Sequence, residues 1–163
     1  MASLERKLGL ALMEKGWTLA VAESCTGGLL GAWLTSVPGC SKYFQGGVIA
    51  YSNQMRQDLL GVPESVLVET GAVSKETALA MARGLKQFGV DVGIAITGVA
   101  GPDGGTEAKP VGTTWIGLFT PISEYAVLHS GSGNRNEIRM QSVQAALELA
   151  VRVVVGEDES CDG

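Results

Sequence analysis

Two short apolar runs, Val92-Gly93-Ile94-Ala95-Ile96 and Thr113-Thr114-Trp115-Ile116-Gly117-Leu118-Phe119, flank a long glycine-rich segment from Val99 to Gly112. Runs this short, bounded by turn residues, read as buried strands rather than helices. A buried strand needs cover on both faces, and the rest of the chain offers it. Apolar residues recur at roughly helical spacing in residues 4–15 (Leu4, Leu8, Leu12). They do so again in residues 74–88 (Ala78, Met81, Leu85, Phe88) and 135–155 (Val143, Ala146, Leu147, Ala150, Val154). Helices interleaved with strands define an α/β chain, a three-layer α/β/α sandwich. A hairpin near the C-terminus makes its sheet mixed.

Boundary signals divide the chain further. Gly16 ends the first helix, residues 17–22 read as the first strand, and residues 23–28 form a strand-to-helix turn. A mostly apolar helix over 29–37 stops at Pro38-Gly39. Residues 40–43 form a loop, and 44–52 a second strand with a bulge at Gly46-Gly47. Asn53 is placed as the cap of a short helix over 54–60, closed by Gly61. Residues 63–69 add a helical turn, and Ser74 caps an amphipathic helix running to Phe88. Residues 124–130 pair with 113–119, and Asn134 opens a helix over 135–155. There is no internal repeat and no linker. Residues 1–156 are read as one domain and the acidic residues 157–163 as a frayed, disordered tail.

Composition excludes several classes. The 163 residues, 45% hydrophobic, suit one domain with a real core. No apolar run approaches the ~20 residues of a membrane span, and the N-terminal residues carry no secretory pattern. The net charge of -5 and pI near 4.9 lack the basic face that nucleic acid requires. Cys25, Cys40 and Cys161 show no C-x-x-C spacing, and His129 is the only histidine, so no zinc-type ligand set exists. The expectation is a cytoplasmic protein with reduced thiols, no metal, no cofactor, and no membrane or nucleic-acid partner.

The phosphate-loop, dinucleotide and hydrolase-elbow fingerprints are all absent. Several residues nevertheless stand where chemistry is done. Ser24, followed by Thr26 and Gly27-Gly28, is either a helix cap or a ligand contact at an anion-binding helix start. Ser41 is either a turn residue or a nucleophile with a base close by. His129, inside a strand, reads as structural. Arg135 and Arg139, four apart, project from one face of the last helix. Cations there oppose the helix dipole, which indicates either a bound anion or an ion pair with Glu137. The glycine-rich loop can present backbone N–H groups to a ligand; otherwise it is a mobile surface loop.

Five ordered stretches carry a resemblance. They are Ala22-Glu23-Ser24-Cys25-Thr26-Gly27-Gly28, the run from Gly46 to Asn53, Gly71-Ala72-Val73-Ser74, the run from Thr97 to Thr106, and Lys109-Pro110-Val111-Gly112-Thr113. Over about residues 4–155 the chain resembles the C-terminal domain family of the competence/damage-inducible protein CinA. The resemblance implies a metal-free, serine-type amidase that converts nicotinamide mononucleotide to nicotinate mononucleotide and ammonia, and a homo-oligomer, with a dimer favoured. Ser41 would be the nucleophile, with Ser24 as the other candidate, and Tyr51 would serve beside it. Ser24, Thr26, Thr97, Gly98, Gly101, Gly104 and Gly105 would line the substrate pocket. Arg139, with Arg135, would hold the phosphate. One position departs from the family pattern: the Lys five residues beyond the Tyr is here Arg56. Arg stays charged, with a pKa above ~12, and cannot replace a basic Lys in kind. It could donate to an oxyanion or a phosphate, and Lys42 or Lys109 could stand in as the base. The alternative is therefore a catalytically weakened nucleotide-binding protein. A third reading, a partner in DNA uptake or repair, follows from the family's name alone, and the acidic charge opposes direct DNA contact.

Overall fold

The computed structural model describes residues 2–156. Cys161 and the tail expected over 157–163 lie outside the described residues. The first helix, α1 (Leu4–Lys15), starts where the Ser3 side chain accepts from the Arg6 N–H and ends at Gly16, whose φ of 68° suits glycine. There follow β1 (Leu19–Glu23), α2 (Leu29–Thr35), β2 (Phe44–Ile49), α3 (Asn53–Leu60), α4 (Glu64–Thr70), α5 (Lys75–Gly84), β3 (Val92–Gly98), β4 (Thr113–Phe119), β5 (Glu124–Ser130) and α6 (Arg135–Val155). The sheet order is β2-β1-β3-β4-β5. β1 pairs in parallel with β2 and β3, while β4 is antiparallel to β3 and β5.

Alternation along the strands sends side chains to two cores. Leu19, Val21, Ile94, Ile96, Ile116 and Leu118 pack with α1, α2 and α6. Ala20, Ala22, Ala95 and Phe119 pack with α3 to α5 through Leu60, Leu67 and Met81, and with Leu85 just beyond α5. This is the three-layer α/β/α sandwich with a mixed sheet. No helix among the described residues is long and apolar enough to cross a membrane. Helix α5 lies so close on the sheet that a Cβ at Gly117 would overlap the Ala78 carbonyl. Backbone cannot yield there as a side-chain tip can. Gly117→Ala is expected to cost about 3 kcal/mol in urea unfolding; a loss below about 1 kcal/mol would contradict this packing.

Four local expectations need correction. Ser52, not Asn53, caps α3, by accepting from the Met55 N–H, which leaves the Asn53 side chain for another partner. The strand β2 ends at Ile49, and its extra residue is Gln45, since Leu19 opposes Phe44 but Ala20 opposes Gly46. Residues 40–42 form a 3-10 turn rather than an irregular loop. The helix expected to reach Phe88 winds into a 3-10 turn after Gly84. That turn carries Phe88 off the buried stripe to 53% exposure beside the β2 edge.

The topology sets where a ligand can sit. From β1 the chain goes through α2 to β2 on one side, then crosses through α3 to α5 to β3 on the other. The carboxyl ends of β1 and β3 therefore flank a switch point, the usual ligand position in open α/β sheets. The β3–β4 loop and the start of α6 meet at this edge, where the Gly131 N–H donates to the Gly112 carbonyl.

Candidate active site

The turn after β1 is held from below by Glu23. Its buried carboxylate accepts from the Thr26 hydroxyl (2.7 Å) and from the backbone N–H groups of Leu30 (2.9 Å) and Gly31 (3.0 Å). Gly28, at φ 103°, begins α2 and has no side chain to cap it, so Glu23 performs that role from the strand. The turn thereby fixes Ser24, 4% exposed, at the end of β1. The Ser24 N–H donates to the Ile96 carbonyl, tying the turn to β3.

Arg56 reaches Ser24 from the first turns of α3. Its Nη2 donates to Ser24 Oγ at 2.6 Å and its Nη1 to Asn53 Oδ1 at 3.0 Å. The residue is only 4% exposed, its Nε has no hydrogen-bond partner, and no ion pair holds it among the described residues. Burial pulls the guanidinium below the usual arginine value, yet an arginine remains a cation near neutrality. A buried cation without a counter-ion is costly by itself. The arrangement suits a site where negative charge is bound or develops.

Helix α6 closes the other side. Arg139 donates from Nε to the Cys25 carbonyl and from Nη2 to the Thr26 carbonyl, each at 3.0 Å. Arg135 donates from Nη1 to the Gly101 carbonyl (2.6 Å) and from Nη2 to the Tyr51 hydroxyl oxygen (3.3 Å). Glu137 is occupied in a capping box with Asn134, so an ion pair does not account for the two arginines. At the end of β3, buried Thr97 donates to the Ala72 carbonyl at 2.7 Å. Gly98 backs onto Thr114. Lys109 Nζ donates to the Thr70 carbonyl at 2.7 Å, pinning the glycine loop to the α4–α5 turn. Gly101 is buried in that loop, whereas Gly104 and Gly105 lie exposed.

The structure thus gathers Ser24, Thr26, Tyr51, Arg56, Thr97, Gly98, Gly101, Arg135 and Arg139 at the carboxyl edge of the parallel strands. It does not bring Ser41 there. Ser41 is exposed on the 3-10 turn before β2, while Tyr51 follows that strand's far end. Six strand residues at ~3.3 Å each put roughly 20 Å between them. This corrects the expectation that Ser41 and Tyr51 share a site within one chain, and it removes Lys42 as the base. His129 is half-buried in β5 opposite Thr114, and its Nε2 has no partner. Two contributors went unrecognised in the sequence: Asn53, read as a cap, and Glu23, read as a turn residue. A lone acid ending an apolar strand just before Thr26-Gly27-Gly28 was the available signal for Glu23. Among the described residues no group of three or more His, Cys, Asp or Glu side chains is arranged to hold a metal ion.

Cys25 sits beside Ser24 but is no nucleophile at neutral pH. Burial pushes its thiol from 9.0 up to about 11, against the opposing pull of Arg139. The folded protein keeps this proton where the unfolded chain loses it. Stability is therefore expected to fall by ~1.4 kcal/mol per pH unit between pH ~9 and ~11. Cys25→Ala should flatten that part of the profile in urea titrations; an unchanged slope would refute the assignment.

Fold and cluster define an α/β/α domain with a buried serine and three arginines at its strand edge. A profile of the CinA C-terminal domain matches residues 1–154, and the chain belongs to that family. It is 52% identical over 141 residues to a CinA-like protein of Gemmatimonas aurantiaca, covering 86% of this chain and 33% of that protein. A CinA-like protein of Synechocystis is 53% identical over 145 residues, with 86% and 35% covered. The chain spans about a third of the length of the curated relatives it matches. A CinA superfamily protein from Klebsiella pneumoniae superposes with TM-score 0.90 at 30% identity, over 94% of this chain and 96% of that one. A competence/damage-inducible protein from Agrobacterium tumefaciens gives 0.87 at 36%, over 91% and 92%.

Proposed function

We propose that the protein is a nicotinamide-nucleotide amidase, hydrolysing the carboxamide of nicotinamide mononucleotide to nicotinate mononucleotide and ammonia, with Ser24 as its nucleophile. The observation that carries this reading is the 2.6 Å contact between Arg56 Nη2 and Ser24 Oγ. A guanidinium only donates, so the serine keeps its own proton available and gains a fixed positive charge that favours the alkoxide. Ser24 Oγ attacks the carboxamide carbon and a tetrahedral oxyanion forms. Arg56 and N–H groups of the glycine loop stabilise that charge. The serine proton passes through Tyr51 to the departing nitrogen, the C–N bond breaks, and ammonia leaves. Water then cleaves the acyl ester and returns a proton to Ser24. Arg135 and Arg139 hold the 5′-phosphate. On this reading the protein works in the cytoplasm as a homo-oligomer, with the mononucleotide as its small-molecule partner.

One observation favours a second reading, a nucleotide-binding protein with weakened turnover. Arg56 cannot accept the serine proton, and Lys109 is engaged with the Thr70 carbonyl. Ammonia release and calorimetric binding, measured on the wild type and on Arg56→Lys, separate the two. An amidase releases ammonia as wild type. The weakened form binds the mononucleotide but gains at least about tenfold in turnover from Arg56→Lys. Neither binding nor release in either protein would dismiss both readings.

A further inference from the structure

At the end of β2 remote from Tyr51, a cavity of about 390 Å³ opens between α1 and the segment joining α2 to β2. One wall is a single stripe of α1, since Arg6, Gly9, Leu10 and Met13 are spaced by three, one and three residues. Leu10 and Met13 are 55% and 41% exposed, so this apolar surface belongs to neither core. The facing wall is Ser36-Val37-Pro38-Gly39 with Lys42. None of the residues of the Ser24 cluster lines it.

Beneath the floor, sealed from the cavity, lies an unsatisfied donor. The Tyr43 hydroxyl lies against Gly9, where an added Cβ would overlap it. Tyr43 is 1% exposed, and its hydroxyl has no hydrogen-bond partner. Burial holds the phenol above its usual value, so it stays an O–H donor. A buried hydroxyl left without an acceptor costs about 1–3 kcal/mol. Arg6 and Lys42 stand over the same space, and neither forms an ion pair among the described residues. Arg6 in the first turn of α1 also works against the helix dipole. Two cations and an apolar wall are complementary to one ligand chemistry.

We propose that this cavity is a second binding site for a phosphate monoester with an apolar body. Its dianionic head pairs with Arg6 and Lys42, while the body lies along Leu10, Met13, Val37 and Pro38. The probe is octyl phosphate, followed by calorimetry and by the amide resonances of the protein. Saturable binding should shift the Gly9 and Gly39 amides and leave Gly27 and Gly28 in place. Octanol and inorganic phosphate should each bind at least about tenfold more weakly, and octanoate, with one charge, about fivefold. The exposed double variant Arg6→Gln/Lys42→Gln should lose about tenfold in affinity. Tyr43→Phe, which removes only a hydroxyl sealed beneath the cavity, should leave the affinity within about twofold. No saturable binding at millimolar octyl phosphate overturns the proposal. So does octanol or octanoate binding as tightly, unchanged affinity in the double variant, or shifts at Gly27 and Gly28 instead. None of these readouts depends on amidase turnover.

Discussion

Ser24→Ala is expected to reduce ammonia release from nicotinamide mononucleotide by about a thousandfold or more, while Ser41→Ala stays within about twofold of wild type. The contrast follows from position. Ser24 is buried at the strand edge with Arg56 on its hydroxyl and Arg139 on the carbonyls of the next two residues. Ser41 is solvent-exposed before the opposite end of β2. Deleting a nucleophile removes the covalent route and leaves only what the surrounding donors do for water. The assay is a continuous ammonia measurement on both variants, with their folding checked by circular dichroism. Loss of activity in Ser41→Ala with Ser24→Ala unimpaired would reverse the assignment.

Glu23→Ala is expected to destabilise the domain by about 4 kcal/mol, a melting temperature lower by roughly 10 °C. The carboxylate is 2% exposed and accepts three hydrogen bonds, two of them from the first turn of α2. Removing it orphans the buried Leu30 N–H, the half-buried Gly31 N–H and the Thr26 hydroxyl, and takes a negative charge from a helix start. Glu23→Gln keeps one acceptor oxygen and should lose about half as much. Thermal and urea unfolding of the two variants provide the check. A loss under about 1 kcal/mol for Glu23→Ala would show that the turn stands without its carboxylate.

The layered architecture was legible because the strands are short, apolar and punctuated. The limits of β4, β5 and α6 follow directly from Thr113 to Phe119, Glu124 to Ser130, and the Asn134 and Gly156 caps. Element ends were less legible wherever two residues could serve. Ser52 and Asn53 are both good caps, and only the tertiary demand of Arg56 for an acceptor assigns each its part. The arginines of α6 stood out in the sequence because they defy the helix dipole. What they touch did not, since Arg139 meets residues more than a hundred positions away. Ser41 illustrates the opposite error. It is ten residues from Tyr51 in the chain, but an extended strand converts that closeness into distance.

The same long-range bonds have a consequence for assembly. The turn that follows the first strand is completed by side chains of the last helix, so the pocket does not exist until α6 has docked on the sheet. A nucleotide bound there would rivet the turn after β1 to the distant helix α6. Its affinity would therefore register in full as protection of the entire domain against unfolding.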